Sequence, residues 1–251
     1  MNSGFKTIVG KGINSSLGLL NLKLTRSKQR FTDYRDYIPF KETIEGAKQA
    51  NLSVGDYIDR KHNKPGATQA TIDRMTELGV FDSKIDRICE IGPGSGRYLE
   101  KVLKLCNPSY YEVYETATDW QDWLVQQYDV VAQPTDGKSL AATPSESIDL
   151  VQAHKVLPGQ PTLTTFRYFN EMIRITKPGG KIVFDIVTED CFDRPTLEHW
   201  LDTGRGYQHY PALMPKQFTI DFFEQRNCTF LNSFFIPMKP GKTECTIFTK
   251  N

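Results

Sequence analysis

The run Arg87-Ile88-Cys89-Glu90-Ile91-Gly92-Pro93-Gly94-Ser95-Gly96-Arg97-Tyr98-Leu99 decides how the rest of the chain is read. An apolar stretch ends in an acid, three glycines follow at alternate positions, and a helical pattern starts at Arg97. Glycine has no Cβ, so the backbone can turn sharply and come close to a ligand, and the helix behind the turn begins with unpaired N–H groups. In open α/β sheets such a loop lies beyond the carboxyl ends of the strands, where ligands bind. A nucleotide-like ligand is expected there. The dinucleotide fingerprint G-x-G-x-x-G begins in the same way but requires a third glycine at position 97, which is Arg97 here; the third glycine is Gly96. Glu90 ahead of the loop suits a cationic ligand and would repel a pyrophosphate. The bland alternative is a tight strand-to-helix turn without a ligand.

Outward from this loop, strands are predicted at Arg87 to Ile91, Tyr110 to Glu115, Asp129 to Ala132, Ile148 to Ala153 and Lys181 to Val187. Helical stretches near Arg97 to Leu105, Thr118 to Tyr128 and Leu163 to Ile175 separate them. This β-α repetition is the pattern of a parallel sheet covered on both faces. The end of the chain departs from it. Pro215 to Gln225 reads as a helix, and two extended runs, Thr229 to Ile236 and Glu244 to Lys250, flank the hairpin signal Pro237-Met238-Lys239-Pro240-Gly241-Lys242. Ahead of the sheet, Phe40 to Phe81 is helical in pattern. There Ser53-Val54-Gly55-Asp56 leads into Tyr57-Ile58, Lys64-Pro65-Gly66 breaks the chain, and Thr68 is expected to cap a helix that stops at Gly79. Three parts follow: a basic and mobile arm at 1–35, a helical cap at 36–84 with Tyr57 closing over a ligand, and the ligand-binding domain at 85–251.

Two more acids fall at strand tips. Glu115, followed by Thr116, ends the second strand about 20 residues beyond the loop, where a carboxylate can accept both hydroxyls of a ribose. Asp136, presented by the turn Pro134-Thr135-Asp136-Gly137 after the third strand, can accept a hydrogen bond from an exocyclic amine such as that of adenine. In isolation Glu115 is a solvated strand-end acid and Asp136-Gly137 an ordinary turn. Their recurrence at consecutive strand tips points to one ligand.

A chain of 251 residues can bury a sizeable core, and a formal charge of +1 does not favour a nucleic-acid partner. No run approaches the roughly 18 apolar residues of a membrane span, and the start lacks the pattern of a secretory signal, so a cytoplasmic location is expected. Cys89, Cys106, Cys191, Cys228 and Cys245 contain no Cys-x-x-Cys pair and read as free thiols, with Cys89 and Cys245 as small hydrophobes inside strands. The four histidines lack ligand spacing, so no metal is expected.

Taken together, Glu90, Gly92, Gly94, Gly96, Glu115 and Asp136 resemble the class I (Rossmann-like) S-adenosylmethionine-dependent methyltransferases from about Ile85 to the C-terminus. Ser147 to His154 resembles that family's fourth strand, and Ile175-Thr176-Lys177-Pro178-Gly179-Gly180-Lys181 resembles its turn into strand five, with Ile175-Thr176 replacing the usual apolar-Leu pair. The resemblance implies a seven-stranded, mostly parallel sheet closed by an antiparallel C-terminal hairpin, with S-adenosyl-L-methionine as cofactor. It also implies that Glu90, Gly92, Pro93, Gly94 and Gly96 hold the methionine part, Glu115 and Thr116 the ribose, and Asp136 and Gly137 the adenine. Tyr57 and His154 would complete the cofactor site.

Acceptor chemistry in this class follows the fourth strand, here Ala153-His154-Lys155-Val156-Leu157-Pro158. His154 is the candidate base or cofactor contact, and Asp185, Glu189 and Asp190 are further candidate bases. The long segment from Val187 to Pro215 carries Trp200, Tyr207, His209 and Tyr210 among Arg194, Asp202 and Arg205, which suits a polar ring, so a small or medium polar acceptor such as a sugar or glycan unit is expected. Rival readings are a polyamine-synthase-like transferase, a nicotinamide oxidoreductase, and a non-catalytic protein that kept the fold.

Overall fold

The structure, a computed structural model, describes residues 38–203, 211–238 and 241–251. The basic arm, Arg205, Tyr207, His209, Tyr210 and the hairpin residues Lys239 and Pro240 lie outside the described residues.

Three helices come first: α1 (Phe40–Gln49), α2 (Val54–His62) and α3 (Ala67–Glu77). Ser53 caps α2 by accepting from the Asp56 N–H at 3.1 Å. Thr68 is not the cap of α3. Gly66 takes that position at φ 77°, and the Thr68 N–H and hydroxyl both donate to Asp59 on α2, each at 2.8 Å. Gly79 does end α3: it is left-handed at φ 76°, with Gly79 N–H to Thr76 C=O and Val80 N–H to Met75 C=O, the paired bonds of a Schellman motif.

The sheet follows as β1 (Arg87–Ile91), β2 (Tyr110–Tyr114), β3 (Val131–Ala132), β4 (Ile148–Ala153), β5 (Thr176–Ile186), β6 (Cys228–Pro237) and β7 (Lys242–Lys250). The intervening helices are α4 (Arg97–Cys106), α5 (Thr118–Gln127), α6 (Thr162–Ile175), α7 (Arg194–Thr203) and α8 (Lys216–Glu224). Strand order is β3-β2-β1-β4-β5-β7-β6, with β1 to β5 parallel and β7 antiparallel to both neighbours. Because β1 to β4 run parallel, the loops after them emerge along one edge, and the strand order reverses between β1 and β4.

Because successive side chains point to opposite faces, each strand supplies two cores. Ile88, Tyr111, Val113, Leu150 and Val183 pack under α3, α4 and α5 through Met75, Tyr98, Leu99, Val102 and Leu124. Cys89, Ile91, Val151, Phe184 and Phe248 pack under α6 and α8 through Phe169, Met172 and Phe223. Cys89 and Cys245 are fully buried free thiols.

The Lys177-Pro178-Gly179-Gly180 run lies inside the span of β5 but has no ladder partner: Ile148 pairs with Thr176 and Leu150 with Lys181, so the run turns out between the two pairs ahead of the regular ladder. The irregularity absorbs the left-handed Gly179, at φ 79°. One expectation is corrected: the segment from Val187 to Pro215 is not a continuous loop, because it contains α7 and a parallel bridge from Val187 to Leu213. Trp200 on α7 is 4% exposed and packs edge-on against Phe192 at 5.3 Å. It fills a small core with Val187 and Cys191 and does not offer its face to a ligand.

Candidate functional site

The glycine loop takes its shape from three left-handed residues, Gly92, Gly94 and Gly96, at φ 60°, 52° and 71°. A Cβ on Gly92 would lie 2.6 Å from the Val156 side chain, and one on Gly96 2.7 Å from Leu124. A Cβ on Gly94 would meet nothing within 4 Å. The loop therefore rests on the segments after β4 and β2 at its ends and leaves open space at its middle. Pro93 accepts the Gly96 N–H at 2.9 Å and closes the turn.

Glu115, 6% exposed, binds this loop directly. Its carboxylate accepts the Gly94 N–H and the Ala117 N–H, each at 2.8 Å. Burial pushes its pKa up, against the opposing pull of those backbone bonds. Two oxygens offer about four lone-pair sites, so acceptor capacity remains. Thr116 continues the contact: its methyl lies 3.5 Å from where a Cβ of Gly137 would be. Asp136, on that next turn, is exposed, and its Oδ1 accepts the Lys138 N–H, the Ser139 N–H and the Ser139 hydroxyl at 2.8 to 3.0 Å. Its partial burial works upward, and these hydrogen bonds outweigh it and hold the carboxyl below its ordinary value.

Glu90 sits lower, at 1% exposure within the sheet. It accepts from the Tyr111 hydroxyl and, at 3.0 Å, from the Gln152 amide, the residue facing it on β4. Burial lifts its pKa to about 7, although both hydrogen bonds favour the ionised form. Tyr57 lies against α1, where its hydroxyl leaves no room for a Cβ on Gly46, and Arg60 and Lys61 approach its ring.

His154 stands one residue beyond β4 and is 5% exposed. Its ring stacks on Tyr98 with centroids 4.1 Å apart, and neither ring nitrogen has a hydrogen-bond partner. Burial depresses its pKa to about 4, so the imidazole is neutral in ordinary buffers. Buried polar atoms are nearly always paired, and two orphaned nitrogens in one ring mark a place where a ligand or water belongs.

The supports of these residues lie in side-chain pairings that the sequence motifs do not include. Asp59 on α2 pairs with Arg97 at 2.8 Å, with side chains only 2% and 12% exposed, and ties the helices ahead of the sheet to the start of α4. Lys155 is left-handed at φ 62°, and Asp185 binds it twice: the Lys155 N–H reaches Oδ1 at 2.5 Å and the ammonium reaches Oδ2 at 3.2 Å. Thr243 on β7 donates to the same Oδ2 at 2.5 Å. Asp185 is fully buried; burial works to raise its pKa, and Lys155, Thr243 and His154 hold it below its ordinary value. For Gln152 the sequence offers only a polar residue inside a mainly apolar strand, and the β1–β4 register places it opposite Glu90. The Asp59 and Asp185 links are long-range pairs without any local pattern.

A seven-stranded sheet in this order, with an antiparallel seventh strand and a glycine loop after β1, is the fold of the class I S-adenosylmethionine-dependent methyltransferases. No family model matches the chain, and no curated protein matches it in sequence. Solved structures match its fold. The magnesium protoporphyrin IX methyltransferase of Synechocystis, crystallised with bound S-adenosylmethionine, aligns with a TM-score of 0.59 at 10% identity over 88% of this chain and 95% of its own. An O-methyltransferase family protein from Burkholderia thailandensis aligns at 0.57 and 14% identity over 100% of this chain and 85% of its own. The N-methyltransferase NodS from Bradyrhizobium japonicum aligns at 0.54 and 14% identity over 74% of this chain and 98% of its own. Among the described residues no helix is long and apolar enough to cross a membrane.

Proposed function

We propose that the chain binds S-adenosylmethionine across the tips of β1, β2 and β3 and transfers its methyl group to a polar acceptor beyond β4 and β5. One observation carries the reading: four strand-tip loops interlock into one edge, through Gly94 to Glu115, Thr116 to Gly137 and Gly92 to Val156, with open space over Gly94 and two orphaned nitrogens on His154. Those residues fit the cofactor. Gly92, Pro93, Gly94 and Gly96 would line its methionine part, Glu115 and Thr116 its ribose, and Asp136 and Gly137 its adenine. Glu90, beneath the loop, would act through its charge, and Tyr57 by covering the site from the helices ahead of the sheet.

When bound, the sulfonium supplies a methyl carbon open to in-line displacement. The protein's own task is then to align the acceptor and exclude water. His154 lines the acceptor end as a neutral hydrogen-bonding group. With a pKa near 4 it is a weak proton acceptor, so an acceptor that arrives with a lone pair, such as a neutral amine, suits it without further help. A sugar hydroxyl, the acceptor suggested by the aromatic residues between Val187 and Pro215, would have to give its proton to another group. Trp200 is packed away from that role.

Isothermal titration with S-adenosylmethionine against NAD tests the cofactor. Binding of the first and not the second is expected, and Glu115→Ala should weaken it by about 1.5 to 3 kcal/mol, as for a hydrogen bond to a charged group. Binding of NAD alone would replace this reading with an oxidoreductase. Release of S-adenosylhomocysteine with sugars, amines, phenols and small acids then tests the acceptor. Turnover of amines with sugars inert would remove the sugar proposal, and binding without turnover of any acceptor would favour the non-catalytic reading.

A further inference from the structure

We propose that Asp185 is a positioning residue, which grips Lys155 at its backbone and at its ammonium and so fixes the left-handed turn that lays His154 on Tyr98. The role assigned to His154 rests on the methyltransferase reading, whereas the clamp itself does not. A residue with a Cβ avoids φ 62°, and such conformations persist where the surroundings over-determine them. Here the surroundings are specific. Asp185 is wholly buried on β5, the strand beside β4, and spends one oxygen on the Lys155 N–H and the other on the Lys155 ammonium and the Thr243 hydroxyl. Lys155 Nζ also donates to Thr243 at 2.5 Å, so β4, β5 and β7 are bridged at one point. The peptide that Asp185 holds is the one joining His154 to Lys155. Its orientation sets where the imidazole leaves the strand, and the imidazole makes no hydrogen bond of its own that could do so.

Backbone geometry and charge at Lys155 can be separated by substitution. In Asp185→Asn the ion pair is gone and the grip on the turn is weakened. Adding Lys155→Gly supplies a residue that adopts the left-handed conformation at no steric cost, whereas adding Lys155→Ala gives the same charge with the steric cost retained. Two readouts are used: the His154 ring-proton shift, moved upfield by the Tyr98 ring in the full-length protein, and the dissociation constant for S-adenosylmethionine. We expect Asp185→Asn to move the His154 signal toward that of a free imidazole and to weaken cofactor binding about tenfold, the scale of one strained residue. Asp185→Asn/Lys155→Gly should recover most of both changes, and Asp185→Asn/Lys155→Ala should not. If Asp185→Asn does not fold, Lys155→Gly against Lys155→Ala makes the same comparison. An unmoved His154 signal, or equal behaviour of the glycine and alanine variants, would overturn the clamp. A wild-type protein that ignores S-adenosylmethionine would instead overturn the methyltransferase reading, and the His154 shift would still decide the clamp.

Discussion

At the level of single residues, the three loop glycines share a left-handed backbone but face different surroundings, and this gives them separable roles. Gly92 and Gly96 are crowded by Val156 and Leu124, whereas Gly94 faces open space. Gly94→Ala should therefore fold with a cost of about 1 to 2 kcal/mol for the left-handed conformation alone. It should nevertheless lose S-adenosylmethionine affinity by about tenfold or more, because the new methyl occupies the ligand's side of the loop. Gly92→Ala should lower the melting temperature further, since its methyl also collides with a buried segment. Thermal melts and titration of both variants check this, and full cofactor affinity in a folded Gly94→Ala would place the ligand elsewhere. The glycines and the strand-tip acids were legible in the sequence because their spacing follows the β-α repeat. Their neighbours were not: the stacking of Tyr98 on His154 and the double grip of Asp185 on Lys155 join positions far apart in the chain, and no local periodicity records them.

Among the elements, β1 and β4 have the bounds expected from the sequence, since strands buried on both faces read as mainly apolar stretches even with Glu90, Asp149 and Gln152 inside them. The helix α7 escaped notice because Trp200 is its one well-buried apolar anchor while Leu197 and Leu201 are exposed, so the stretch lacks a clear apolar stripe. The link between α2 and α4 was equally hidden, and it has a consequence for stability. Asp59 answers Arg97 and also holds the Thr68 N–H and hydroxyl at the start of α3, so one carboxylate serves three elements. Asp59→Ala leaves the guanidinium with only a small exposed area and strands the Thr68 donors. A loss of about 3 kcal/mol is expected, the scale of removing one member of a buried ion pair. Amide hydrogens of α2 should exchange faster in the same variant. Urea unfolding with hydrogen exchange measures both, and a loss under about 0.5 kcal/mol, the range of ordinary surface substitutions, would show that α2 is held by apolar contacts alone.

For the whole molecule, two groups of the candidate site that titrate between about pH 4 and 7 act on stability in opposite directions over nearly the same pH range. Glu90 has a folded pKa of about 7 against an ordinary 4.5. Between those values the native state holds a proton that the unfolded chain has released, so Glu90 lowers stability progressively as pH rises from about 4.5 to about 7. Glu115, also raised by burial, acts in the same sense. His154 has a folded pKa of about 4 against an ordinary 6.5. In that window the unfolded chain binds the extra proton, so His154 contributes stability that is present above about 6.5 and lost as pH falls toward 4. Each effect amounts to about 3 kcal/mol at roughly 1.4 kcal/mol per pH unit. Asp185 and Glu244, both held below their ordinary values, contribute stability only lost in more acid solution. The wild-type protein should thus show a shallow profile between pH 5 and 6.5, which conceals two opposing slopes. Glu90→Gln keeps an acceptor for Tyr111 and removes one of them, so its stability should climb with pH through this window. His154→Gln removes the other, and its stability should fall from about pH 4.5 to 7. Urea unfolding of the three proteins at several pH values reads the slopes directly; parallel profiles would mean that neither group titrates as its burial dictates.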